Sequence, residues 1–336
     1  MSDHSTAPGR LMAAELAEAP AAFARAVAVD ATQAAAAIGA APALYTLARG
    51  SSDAAATTLA YGAMRALGRP VTSLPPSVFS LGPGPALAGA GVLAISQSGE
   101  SADLVAAARA ARAGGAPVVA LTNAPASTLA TEASATLDIA AGPERAVPAT
   151  KTVTATIGAG LALIAALAPG AITPEAGAVL TEAATRSPLP GEQALADDLW
   201  GAQHVYVIGR DAGYGAAIET ALKLKECCAL HAEAHSAAEV MHGPLELVTR
   251  PLLVILLDTG LAAARESLDT AEARFAAAGA PVHRLGPAAL GAAALPPAAA
   301  AALLLCRLYP TIHATALALG LDPDSPSTLA KVTRTL

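Results

Sequence analysis

Short apolar runs alternate with longer alanine-rich stretches of helical period along most of this chain. Residues 44–48, 92–96 and 117–122 are strand-like, and each passes through small or polar residues into a helical pattern. Residues 204–209, 252–257 and 281–285 repeat that order, with helical segments between them. Such runs predict strands buried on both faces, and their alternation with helices predicts parallel sheets covered on both sides. Residues 10–36 predict one helix leading into the first sheet.

The two halves resemble each other. Tyr45 and Arg49 recur as Tyr206 and Arg210, Val92-Leu93-Ala94-Ile95 as Leu253-Val254-Ile255-Leu256, and Gly115-Ala116-Pro117-Val118 as Gly279-Ala280-Pro281-Val282, at nearly constant spacing. Three ordered matches predict two tandem copies of one doubly wound α/β domain, and 336 residues is length enough for two cores. The expected organisation is a lead helix over 1–36, a first domain over 37–186, a second over 192–325 and a tail over 326–336. The Pro- and Gly-bearing stretch 187–191 is the expected linker.

Composition narrows the function classes. The 54% hydrophobic fraction is mostly alanine. Gly158, Gly160 and Pro169 interrupt one long apolar run and Pro296, Pro297, Arg307 and Pro310 another, so no stretch reads as a membrane span. Asp3, Glu15 and Glu18 stand where a secretory signal would be apolar, which predicts a cytosolic protein. Three cysteines, two of them adjacent, form neither a disulfide framework nor a zinc spacing. A net charge of −7 without a basic stripe argues against a nucleic-acid partner. There are four lysines against sixteen arginines; those that remain are either needed for the amine or left by coding bias.

Several segments carry candidate chemistry. Ser96-Gln97-Ser98-Gly99-Glu100-Ser101 lies between a strand and the helical run 102–112, where unpaired helix N–H groups and three hydroxyls can converge on a dianion. The same pattern also describes an ordinary serine-capped helix. It matches neither the Walker nor the dinucleotide glycine spacing. The second half has Leu257-Asp258-Thr259-Gly260 there, which leaves one phosphate site per chain. Arg49-Gly50-Ser51-Ser52-Asp53 is a second small-residue turn on the same sheet edge.

Within the helical run 216–230, Glu219, Lys223 and Glu226 share a face. They form either a tuned proton shuttle or a solvated ion-pair ladder, and the spacing alone favours the ladder. His231, His235 and Glu239 could ligate a metal if their segment is helical. His242, before Gly-Pro, belongs in a turn near a surface or interface. Lys331 sits in a terminal stretch that is either loose or delivers an amine to a cleft.

Taken in order, Ala48-Arg49-Gly50-Ser51-Ser52, the serine turn 96–101, residues 144–152, Ala221-Leu222-Lys223-Leu224-Lys225-Glu226, His231-Ala232-Glu233-Ala234, His242-Gly243-Pro244-Leu245 and Leu329-Ala330-Lys331 resemble the sugar isomerase (SIS) domain family. The likeness is specifically to its double-domain members, such as the isomerase half of glucosamine-6-phosphate synthase and the stand-alone glucosamine-6-phosphate deaminases. The resemblance implies two tandem flavodoxin-like, three-layer αβα domains with parallel sheets. It implies that Ser96, Gln97, Ser98 and Ser101 hold a phosphate, while Gly50, Ser51, Ser52, Val147 and Ala149 line the sugar. Ser101 stands where threonine is frequent, and Ala149 where serine is common, so no side-chain contact is expected from Ala149.

By the same resemblance, Glu226 moves a proton between C1 and C2, His242 assists ring opening in a neighbouring subunit of a homodimer, Lys331 lies beside the anomeric carbon, and Lys223 completes the catalytic set. No cofactor or metal is implied. Residue 2 is Ser, so the nucleophilic cysteine of a glutaminase is not expected. The implied activity is deamination of glucosamine 6-phosphate to fructose 6-phosphate and ammonia; a fructosamine-6-phosphate deglycase, a galactosamine-6-phosphate deaminase/isomerase and a non-catalytic phosphosugar sensor are the alternatives.

Overall fold

A computed structural model describes residues 7–170, 175–186 and 191–331. The expected linker therefore lies, except for Gly191, outside the described residues. The first half runs α1 (Arg10–Ala26), α2 (Thr32–Ile38), β1 (Leu44–Leu47), α3 (Ser51–Leu67), β2 (Val71–Ser73), α4 (Ser77–Ser80), β3 (Gly91–Ser96), α5 (Ala102–Ala113), β4 (Val118–Thr122), α6 (Thr128–Glu132), β5 (Ala135–Asp138), α7 (Lys151–Leu167) and α8 (Ala176–Thr185). The second runs α9 (Glu192–Gly201), β6 (His204–Gly209), α10 (Ala212–Cys228), β7 (His231–Ser236), β8 (Leu253–Leu257), α11 (Arg265–Ala277), β9 (Val282–Leu285) and α12 (Pro297–Ala318).

Both sheets are parallel, with strand orders β2-β1-β3-β4-β5 and β7-β6-β8-β9. Parallel pairing needs a crossover between strands, and here helices supply most crossovers and cover the sheet faces. The shared order of four strands is the expected duplication. It extends to backbone detail: Gly50 after β1 has φ 53°, ψ −131°, and Asp211 after β6 has φ 59°, ψ −133°. A non-glycine residue there is strained. Asp211 is held by its own carboxylate, which caps the Ala212 N–H and pairs with Arg65 on α3 of the other half.

Four expectations change. The leading helix is two helices, because Asp30 Oδ1 accepts from Thr32 N at 2.9 Å and starts a new one. The apolar runs in which glycine and proline predict interruptions form the continuous helices α7 and α12. Gly158 lies where α1 comes so close that a Cβ would meet Phe23 O at 2.9 Å, and Pro310 sits within α12. That helix is long and apolar enough to cross a membrane by length and composition, yet 72% of its apolar window is buried inside the fold, against α10, α1 and α9 among others. The segment with His231 and His235 is not helical but edge strand β7. In a strand those two positions stand roughly 13 Å apart, too far to share a metal, and no group of three or more potential ligands occurs among the described residues.

Candidate functional site

At the carboxyl ends of β1 and β3, the turns that follow them open on one cleft of about 300 Å³, at the lower end of the roughly 300–1,000 Å³ usual for small-ligand sites. Gly50, Ser51 and Ser52 come from the β1–α3 turn, and Ser96, Gln97, Ser98 and Ser101 from the β3–α5 turn. Val147, Ala149, Glu226 and Lys331 line it as well. These residues come from five stretches far apart in sequence, around positions 50, 98, 148, 226 and 331, so only the fold unites them.

The β3–α5 turn is pre-shaped. Ser96 Oγ accepts from Gly99 N at 3.1 Å and Ser98 Oγ from Glu100 N at 3.3 Å. Gly99 has φ +65°. Ser101 is the N-cap residue of α5, yet its side chain makes no cap hydrogen bond, leaving the hydroxyl to the cleft. An ordinary capping serine would be occupied by the helix.

Glu219, Lys223 and Glu226 do share a face of α10, but they are not a solvated ladder. Glu219 and Lys223 are fully buried, and Glu226 is half-buried at the cleft wall. Apolar packing of α10 against α3 and α12 removes the water that the spacing alone suggests. Lys223 Nζ donates to Glu226 and lies 3.5 Å from Glu219 Oε1. Burial by itself would depress the lysine, but the two carboxylates outweigh it and hold the ammonium above its ordinary range. Burial pushes the Glu219 carboxyl up to about 7 against the pull of Lys223. Tyr309 OH donates to Glu219 at 3.1 Å, and Ser51 also stabilises its charged form. A buried chain of polar groups thus runs from Ser51 to Glu226 behind the cleft.

The segment from Asp324 to Lys331 is tied down at both ends. Asp324 accepts from Leu11 N at 2.8 Å and Met12 N at 2.7 Å, filling the open N-terminus of α1 with a carboxylate from the far end of the chain. Asp324 O accepts from Val147 N. Lys331 Nζ donates to Glu144 Oε2 at 3.2 Å. Of the other lysines, Lys151 is buried on Glu18 between α7 and α1, and Lys225 is exposed. The three cysteines are buried, and burial pushes the thiols of Cys227 and Cys306 up to about 12 and that of Cys228 higher still, so none is a ready nucleophile.

His242 is not brought into this cleft; it lies exposed in the turn after β7. Lys223 reaches the cleft only through Glu226. Conversely, Arg49, Asp103, Leu104 and Leu329 line the cleft although the sequence reading assigns them no role there. Arg49 adjoins Gly50, and the signal for it was there in the turn itself; Asp103 resembles any acidic residue in a helix's first turn.

The SIS domain profile matches residues 38–166 and 198–285. A glutamine–fructose-6-phosphate aminotransferase (isomerizing) from Symbiobacterium thermophilum is 41% identical over 179 residues, 50% of this chain and 29% of that protein. The chain thus spans under a third of the length of that relative. Among solved structures, a candidate phosphosugar isomerase from Silicibacter pomeroyi superposes with a TM-score of 0.81 at 36% identity, covering 94% of this chain and 99% of the other. Thermotoga maritima glucosamine-6-phosphate deaminase superposes at 0.77 with 20% identity, covering 97% and 100%, which speaks for the fold alone.

Proposed function

Because the chain belongs to the SIS domain family, we propose that it is an amino-sugar-phosphate deaminase acting on glucosamine 6-phosphate. One observation carries this reading: the serine turn, the carboxylate of Glu226 and the tail amine of Lys331 line a single cleft. In this reading they serve one small ligand as anion anchor, base and cation.

In this reading the phosphate sits on Ser96, Gln97, Ser98 and Ser101, and the sugar lies along Ser51, Ser52, Val147 and Ala149 toward Glu226. His242 of a second copy opens the ring, since His242 is exposed and outside its own cleft. Glu226 takes the C2 proton of the open amino-aldehyde and returns it to C1, while O1 takes up the proton that the amine nitrogen gives up, which converts the aldehyde to a primary alcohol and the amine to a C2 imine. Water adds to that imine, and ammonia leaves with fructose 6-phosphate as the other product. Lys331 stabilises negative charge on O1 as the C2 proton departs. Lys223 and Glu219 hold Glu226 in place from the protein side.

Purified protein incubated with glucosamine, galactosamine and fructosamine 6-phosphates, with ammonia and fructose 6-phosphate both assayed, tests the reading. Release of the two in equal amounts from glucosamine 6-phosphate is expected. Release only from another member of the series reassigns the substrate, and none from any of them makes the chain a phosphosugar sensor.

A further inference from the structure

The serine turn contains no cation, although a sugar phosphate carries up to two negative charges. Two basic side chains line the cleft: Lys331, which is paired with Glu144, and Arg49. Arg49 Nε donates to Asp103, whose side chain is 3% exposed in the first turn of α5, two residues beyond Ser101. The two terminal nitrogens of Arg49 donate to nothing among the described residues, and the side chain is 45% exposed. One edge of the guanidinium is therefore anchored beside the serine turn while the other is free in the cleft.

The duplicated half shows what this arginine does where no serine turn follows. Arg210 occupies the matching place after β6, and its Nη1 donates to Ser236 Oγ at the end of β7, at 3.0 Å. In the first half the equivalent strand is β2, and its last residue, Ser73, donates instead to Asp53 Oδ1 at 3.1 Å. The framework contact that satisfies Arg210 is thus taken by another group, and Arg49 is released toward the cleft. Asp103 alone would repel an anion at the start of α5; with Arg49 on it, that charge is offset.

We propose that Arg49 is the cation that reads the phosphate, its free Nη edge binding two phosphate oxygens while Asp103 holds its Nε. This rests on the phosphosugar reading of the same cleft. An arginine fork matches a phosphate in two hydrogen bonds, which a lysine cannot reproduce. It also makes the site prefer the dianion, because the second phosphate pKa is about 6.

Titration calorimetry with glucitol 6-phosphate, which has no carbonyl to react, and with inorganic phosphate tests this on the full chain. Arg49→Gln is expected to weaken glucitol 6-phosphate binding roughly 10- to 100-fold, the range for a hydrogen bond to a charged group. Wild-type affinity should rise from pH 5.5 to 7.5 and that of the variant should change less; Arg49→Lys should recover part of the loss. If either Arg49→Gln or, should that variant not fold, Arg49→Lys binds as wild type does with the same pH dependence, Arg49 has no such role and the phosphosugar reading stands. Wild-type protein that binds neither ligand overturns both.

Discussion

Lys331 donates to the buried carboxylate of Glu144 at 3.2 Å, across 187 positions of sequence. The same carboxylate accepts from Thr150 N at 2.9 Å and from Thr152 N and Oγ1 at 3.1 and 2.6 Å, which fills the N-terminus of α7. One residue thus sets the start of a core helix and holds the tail amine at the cleft. Glu144→Gln should release Lys331 and lower kcat roughly tenfold or more, the effect of one charge-assisted hydrogen bond. Steady-state kinetics on glucosamine 6-phosphate check this, with KM expected to change less.

Glu226→Gln keeps the size of the side chain and removes its basicity. Ammonia release should fall by roughly 10²- to 10⁴-fold, the usual contribution of a positioned acid–base group, while binding of glucitol 6-phosphate persists. Near-normal turnover would remove Glu226 from the proposed role.

Glu219 makes stability depend on pH. Its folded carboxyl titrates at about 7, against an ordinary value of 4.5, so between those values the folded state holds more protons than the unfolded one. The contribution of this group is complete below pH 4.5 and declines as pH rises toward 7. Lys223, shifted upward, stays charged in both states through that window. Urea unfolding at pH 5 and pH 7 should therefore show a smaller change for Glu219→Gln than for wild type; equal changes would contradict the assignment.

Lys223→Met should destabilise the protein by about 3–5 kcal/mol, because it leaves Glu219 buried without its counter-charge. Chemical denaturation at pH 7 measures the loss. A variant as stable as wild type would mean that Glu219 simply takes up a proton at little cost.

Gly99→Ala tests the shape of the serine turn. Besides the φ of +65°, a Cβ there would meet Ser127 Oγ at 2.0 Å, so the turn must shift away from α6. Weaker phosphosugar binding together with a lower unfolding midpoint is expected; calorimetry and thermal unfolding read the two separately.

Much of the architecture is legible in the sequence. The central strands of both sheets are largely apolar because helices cover both their faces, and that pattern marks the runs 92–96 and 252–257. The edge strands β2, β5 and β7 escaped it. They are short or polar, since a strand paired on one side is only partly buried, and β7 carries His231, Glu233 and His235 on its more open face. Glycines and prolines misled in the opposite sense: Gly158 marks a close helix contact inside α7, and Pro310 lies inside α12.

The serine turn, the face shared by Glu219, Lys223 and Glu226, and the duplication follow from sequence alone, because each depends on local spacing that helix and strand geometry convert directly into position. Whether that shared face is wet or dry, whether Lys331 reaches the cleft, and whether Arg49 is free to meet an anion were decided only in three dimensions. Each of these turns on the burial and partners of a side chain, and those are set by segments far away in the chain: α3 and α12 around Lys223, Glu144 beneath Lys331, and the Ser73–Asp53 pair that leaves Arg49 unclaimed.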